Sequence, residues 1–433
     1  MPRTRLVAAL GALAVGAIAL TGCATPAAST PNASVATAAA IDSCNPKDVT
    51  LDVTFGKQAS EAMTIAVANL QKEYPGVTVN AEPQATTSYD DLTKTIVADI
   101  AVGKRPDLIM TGLGQLRFWV DTYHPSPIDT AALPATYQKQ FLDAGTVDKT
   151  VYLAPGQISA PVLLVNQTAL DAAGAGKAKD IRTFADLEKA AEKVSKQTGA
   201  PSVSIPAQGL PDWFSQAFVQ GSGGTFVKAD GTAGFGGKDG VKALSIWSDL
   251  KAKNLELGVG DQDAMAQFIG GKAAFLVYTT SVIATVQKGI GTSFDWTPVD
   301  LPSVNGKGGA LPAGGNGWIV LSEDSCRAAF ANALVGKLLS PEAVAGASGT
   351  SFSYIPVDTD AGKALLKSDA ATPQLTYAWS YDKKLTPWGG FAGKSVTQVN
   401  DAIRTMAQQM QSGQDTATSV KQAVTSIDAI VGK

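Results

Sequence analysis

From Val49 to Phe55 apolar and polar residues alternate, the two-residue period of a half-buried strand. Met63, Val67, Leu70 and Tyr74 then recur four, three and four apart, which predicts a helix with Ser60 placed to cap it and Pro75-Gly76 to stop it. Val77, Val79 and Ala81 alternate as a second strand. Leu92, Ile96 and Ile100 restore the helical period across Tyr89–Val102, which Gly103 ends, and Pro106–Met110 reads as a short buried strand. Strand, helix, strand, helix, strand at this spacing predicts a doubly wound α/β layer.

A second α/β region follows. Ala160–Asn166 is an apolar strand, Thr183–Thr198 a helix carrying Phe184, Leu187, Ala191 and Val194, and Trp213–Gln220 another. Gly240–Asn254 continues in helical period through Leu244, Trp247 and Leu250, and Ala273–Tyr278 is a strand. The glycine-rich run Asn305–Gly317 precedes the strand Trp318–Leu321, and the C-terminal segments Ala402–Gln411 and Val420–Val431 are helical. No internal repeat is visible.

The N-terminal stretch has a different character. Arg3 and Arg5 precede a 15-residue apolar run, Leu6 to Leu20, which stops at Thr21-Gly22-Cys23. A membrane-spanning helix needs about 20 apolar residues, so this run reads as a secretory leader. Leu20-Thr21-Gly22-Cys23 matches the bacterial lipobox, which makes residues 1–22 the signal peptide and Cys23 the lipidated first residue of the mature chain. Residues 23–47 then form a flexible tether, rich in Ala, Ser, Thr and Pro and too poor in apolar surface to order itself. The expected location is the outer face of the cell membrane, reached by export and held by the lipid on Cys23. With Cys23 so assigned, Cys44 and Cys326 remain as a pair in an oxidising compartment, where a disulfide is the default and two separate buried thiols the alternative. Loss of Arg3 and Arg5 with the leader takes the formal net charge from −3 to −5, which does not suit a nucleic-acid partner.

Catalytic chemistry finds little support. The single histidine, His124, lies in a Tyr-His-Pro-Ser-Pro loop with no Gly-x-Ser-x-Gly elbow elsewhere. No spacing of His, Cys and carboxylates suggests a metal, and Gly221-Ser222-Gly223-Gly224 lacks the lysine of a phosphate-binding loop. Asp90-Asp91 opens a helix, where paired acids serve the helix dipole. The expectation is a protein that is not an enzyme and uses no cofactor. The aromatic residues are more informative: Trp119, Trp213, Trp318, Trp379 and Trp388 fall in or beside loops and strand ends, whereas Trp247 falls on an apolar helix face. A loop tryptophan offers a rigid platform for the apolar face of a sugar ring.

These pieces, in this order, make the chain from about residue 48 onward resemble the extracellular solute-binding proteins that include the maltose- and glycerol-3-phosphate-binding proteins of ABC importers. The resemblance rests on Ser88-Tyr89-Asp90, Ser159-Ala160-Pro161-Val162-Leu163-Leu164-Val165-Asn166, the strand at 271–275, Gly314-Gly315-Asn316-Gly317-Trp318, and Gly349 to Val357. It implies two α/β lobes, each a mainly parallel sheet flanked by helices: 48–158 plus 301–347, and 159–300 plus 348–433. On that division Cys44 and Cys326 belong to the same lobe. A cleft between the lobes would take ligand from Lys57, Gln58, Tyr89, Asp90, Thr111, Gly315 and Asn316 on one side, with Ser159 at the hinge and Trp213, Thr280, Ser281, Tyr354 and Trp388 on the other. The sugar-phosphate branch carries an arginine near its C-terminal cleft loop; here that loop reads Trp388-Gly389-Gly390-Phe391-Ala392-Gly393 and Lys394 is the nearest cation, which favours a neutral sugar, oligosaccharide or polyol. The implied partners are that solute and an ABC-transporter permease, with the protein itself a monomer. The competing readings are a glycerol-3-phosphate or glycerophosphodiester binder, an exported carbohydrate-active enzyme and an adhesion module.

Overall fold

The computed structural model describes residues 38–391 and 395–432, so the leader, Cys23, most of the tether and Ala392 to Lys394 lie outside the described residues. Nine strands make two sheets: β1 (Thr50–Gly56), β2 (Thr78–Gln84), β3 (Leu108–Gly112), β4 (Ala154–Ser159), β5 (Pro161–Asn166), β6 (Val203–Ser204), β7 (Phe275–Thr279), β8 (Trp296–Asp300) and β9 (Gly314–Val320). The first sheet has the order β2-β1-β3-β9-β4, and the second β8-β5-β7-β6. In each sheet one strand runs against the rest: β9 is antiparallel to both its neighbours in the first, and β5 to both of its own in the second. The reversed strands are those beside the chain's crossings between sheets.

Burial follows the predicted periods. Leu51, Val53 and Phe55 of β1 face the core, and the helix Ser60–Glu73 buries Met63 and Leu70. Ser60 does not cap it: the helix is entered directly from the turn Lys57–Ala59, and the Ser60 hydroxyl donates to the Lys57 carbonyl at 2.8 Å. Gly240–Asn254 is two helices, Lys238–Leu244 and Ile246–Ala252. At the break the Ser245 hydroxyl lies 2.6 Å from Asp249 Oδ2, to which it donates, and 3.1 Å from the Lys242 carbonyl.

The segment around Ala160 holds the two lobes together. What reads as one apolar strand is β5 alone; β4 ends in the first sheet at Ser159, and a single residue, Ala160, carries the chain into the second. Its N–H donates to Thr280 Oγ1 at 3.1 Å and its carbonyl accepts from the Thr280 N–H at 3.0 Å. Beyond it β5 is apolar at every position because both its faces are covered. Leu163 and Val165 enter one core with Phe214, Trp247 and the C-terminal helices, and Val162 and Leu164 enter another with Phe268 and Trp379. The first lobe has its own core, which also takes in Ile355, Val357 and Ala361, down-chain of the expected return at 347.

Three tryptophans expected at loops are core residues. Trp119, Trp318 and Trp379 are all buried, and the indole N–H of Trp119 donates to Thr111 Oγ1 at 2.8 Å and that of Trp379 to the Ser348 carbonyl at 3.2 Å. Trp247 is buried on its helix face, donating to the Ile205 carbonyl at 3.1 Å. Cys44 and Cys326 are joined in a disulfide, with Cα atoms 5.7 Å apart, that ties the first described turns to the helix Ser325–Leu338. Because it closes a long loop, Cys326→Ser should lower unfolding stability by about 2–4 kcal/mol in urea titrations; an unchanged midpoint would show that the bond adds nothing. Among the described residues no helix is long and apolar enough to cross a membrane, and no His, Cys, Asp and Glu cluster could hold a metal.

Candidate functional site

A cleft of about 530 Å³ is lined by residues of both lobes. Lys57, Tyr89, Asp90, Gly114, Gln115 and Gly315 face Asp212, Trp213, Asp261, Tyr278, Ser281 and Trp388, with Ser159, Phe352 and Tyr354 between them. A second depression of about 360 Å³, around Glu192, Lys196 and Lys253, has no aromatic wall.

The aromatic rings sit directly on glycine backbone. A Cβ at Gly114 would lie 2.7 Å from the Trp388 ring, one at Gly314 2.5 Å from Trp213, and one at Gly112 2.6 Å from Tyr89. Glycine at these positions lets each ring approach the chain beneath it. The Trp213 and Trp388 centroids are 6.0 Å apart with planes at 49°, so the two indoles form one angled wall. Trp213 is fixed by its N–H, which donates to the Pro312 carbonyl at 3.0 Å, and Trp388 by donation to Asp212 Oδ2 at 2.8 Å.

Nine of the expected ligand residues line the cleft: Lys57, Tyr89, Asp90, Ser159, Trp213, Ser281, Gly315, Tyr354 and Trp388. The other four, Gln58, Thr111, Thr280 and Asn316, sit behind its wall and act on the residues in front. Thr111 is buried and donates to Gln115 Oε1 at 2.9 Å, and Gln115 Nε2 donates to Asp90 Oδ1 at 2.7 Å. Asn316, also buried, donates to Gln157 Oε1 at 2.8 Å and to the Tyr89 hydroxyl at 3.3 Å. The Gln58 carbonyl accepts from Gln157 Nε2 at 2.9 Å, and Thr280 braces Ala160. Thr111 and Asn316 stand on β3 and β9, Gln58 and Thr280 in the turns that follow β1 and β7, and all four are buried.

Two acids and one cation escaped the sequence reading. Asp212, 7% exposed, stands in the first turn of the helix Pro211–Gly221, and burial pushes its carboxyl up to about 7, opposed by the Trp388 N–H and reinforced by the charge of Asp90. Asp261 opens the helix Asp261–Ile269, and burial likewise raises it to about 7, with Arg404 working against the shift and Asp212 adding to it. Gly209 accommodates Asp261: its φ is +80°, and a Cβ there would meet the carboxylate at 1.6 Å. The available signal was a helix-opening acid beside a tryptophan, or after the glycines of Gly258-Val259-Gly260, though many helices begin so. Arg404 is a cation that the sequence reading did not weigh beside Lys394. The helix Val396–Gln411 brings its guanidinium within 3.7 Å of Asp90 Oδ2 and 2.5 Å of Asp401 Oδ1, while Lys394 lies outside the described residues.

Solved structures share this architecture at low identity. UgpB from Mycobacterium tuberculosis, in complex with glycerophosphocholine, superposes with a TM-score of 0.75 at 17% identity, covering 88% of this chain and 98% of that one. The sugar-binding protein MalE from Xanthomonas citri gives 0.73 at 18% identity, covering 88% and 97%. The cyclic alpha-maltosyl-1,6-maltose binding protein from Arthrobacter globiformis gives 0.71 at 17%, covering 88% and 99%. No curated protein sequence matches the chain. The family model for bacterial extracellular solute-binding proteins matches residues 66–376. With its two α/β lobes, the cleft between them and a family match over most of its length, this chain belongs to the bacterial extracellular solute-binding proteins.

Proposed function

We propose that the protein captures a carbohydrate (a neutral sugar, an oligosaccharide or a polyol) in the cleft and presents it to the permease of an ABC importer, returning it chemically intact. The observation that carries this reading is the angled wall of Trp213 and Trp388, with Ser281 on its own side and Asp90 and Gln115 opposite, since indole faces suit ring faces and the polar groups suit hydroxyls. The lobes, expected at about 48–158 plus 301–347 and 159–300 plus 348–433 but with β4 through Ser159 and Ile355 to Ala361 packed on the first, would rotate about their crossings, Ala160 among them, so that solute adds contacts present only in the closed form and shifts the population toward it. Cys23 would carry the lipid, and the tether would let a monomer sweep the space above the membrane. Sugar-bound structures among the proteins that share this fold support the same reading.

A second reading, a glycerophosphodiester or sugar-phosphate solute, is favoured by Arg404 and Lys57 at the cleft. A thermal-shift screen of the tether-free protein separates the two, because a ligand bound only to the folded state raises the melting temperature. Shifts from neutral sugars are the expected result. Shifts from phosphorylated compounds alone would replace the first reading with the second.

A further inference from the structure

The charge lining the cleft is poorly matched to a neutral solute. Asp90 is answered within the protein: Oδ1 accepts from Gln115 Nε2 at 2.7 Å and Oδ2 faces Arg404 at 3.7 Å. That arginine is already shared with Asp401. Asp212 receives the neutral indole N–H of Trp388, and among the described residues no ion pair reaches either Asp212 or Asp261. Among the described residues Asp261 Oδ1 is shielded from solvent and has no hydrogen-bond partner, Arg404 acting on that carboxyl through its charge alone. Among the described residues Lys57 is the cation that lines the cleft, and it enters from the first lobe after β1.

A shielded carboxylate oxygen without a donor is costly, and a shielded carboxylate without a counter-charge more so. A sugar hydroxyl supplies a donor but no counter-charge to the ionised form of either carboxyl, which burial disfavours. A protonated amine supplies both, and the indole faces beside it add cation–π attraction. A quaternary ammonium would bring charge without an N–H for Asp261 Oδ1.

We propose that the cleft takes a solute bearing a protonated primary or secondary amine, an aminated sugar or polyol, with the ammonium seated at Asp212 and Asp261 against Trp213 and Trp388. This rests on the solute-capture reading above: it keeps the carbohydrate and replaces the neutral solute with an aminated one. The test is calorimetric titration of the native protein at pH 7 with matched pairs: glucosamine and glucose, glucamine and sorbitol, deacetylated chitobiose and cellobiose. N-acetylated members and choline complete the set. In at least one pair the amine should bind tenfold or more tighter than its hydroxyl partner, acetylation should remove the advantage, and Asp261→Asn should reduce it below twofold. The acetylated compounds test the charge on the native protein, so the result stands even where the variant fails to fold. Equal or tighter binding of the hydroxyl member in every pair overturns the inference and leaves carbohydrate capture standing. Choline binding as tightly as the amines overturns the N–H requirement and with it the proposal. Failure of every sugar and polyol, aminated or not, overturns the carbohydrate reading and this inference together.

Discussion

Gly315→Ala should lower stability by about 3 kcal/mol or more and abolish solute binding, although it adds a single methyl group. The added Cβ would lie 1.8 Å from the Gln157 carbonyl oxygen, a backbone atom of the paired strand β4, and the residue has φ +107°, where a side chain is strained. A flexible side chain could swing aside; a carbonyl held in a sheet cannot. Relief would require β4 and β9 to separate where their register already shifts, between Asn316 and Gly317. Two residues past Gln157, β4 ends at Ser159 on the cleft, and Ala160 then crosses to the second lobe, so the distortion would reach both the wall and the crossing. Gly314→Ala is a useful contrast, since its Cβ meets side chains of Trp213 and Ser159 at 2.5 and 2.6 Å. It should weaken binding more than folding. Urea unfolding and calorimetric titration of both variants check the pair, and native stability with native affinity in Gly315→Ala would refute the argument. Gly315 thus serves the site through its backbone.

The elements were legible where burial is set by local period. Leu51, Val53 and Phe55 alternate because one strand face is covered, and Met63 and Leu70 recur because one helix stripe is. The all-apolar run Ala160–Asn166 was legible as a strand, and the resemblance put the hinge at Ser159, one residue before the step at Ala160, whose bond to Thr280 far along the chain no local pattern shows. Tryptophan position was the weakest guide. Trp119 lies in the short helix Leu116–Tyr123 on the buried face it shares with Leu116 and Tyr123, three and four residues away, a helical period that reading it as a loop residue passed over. Asp212 and Asp261 were missed because no period distinguishes an acid that opens a helix into solvent from one that opens it into a cleft, and Arg404 because its partner Asp90 is remote in sequence. The glycines under the rings were visible as glycines, yet their partners, Trp388 for Gly114 and Trp213 for Gly314, are remote in sequence.

Trp213→Ala should weaken solute binding by roughly 30-fold or more, about 2 kcal/mol, and also lower stability by about 3–5 kcal/mol. Both effects follow from one placement. The side chain is 1% exposed, packs against Phe214 and Trp388 with centroids 5.6 and 6.0 Å away, and anchors Pro312 through its N–H, yet it forms part of the cleft wall. Removing it leaves a cavity beneath the site and takes away the surface on which Trp388 is set. Trp213→Phe separates the contributions: a smaller ring refills much of the cavity but donates nothing to the Pro312 carbonyl. Its stability should recover most of the loss, while its affinity should stay well below that of the native protein because the ring wall is narrower and less firmly held. Unfolding curves and calorimetric titrations with whichever solute gives the largest thermal shift provide the measurement. If both variants bind that solute as tightly as the native chain, the indole wall has no part in recognition, and the carbohydrate reading loses the observation on which it stands.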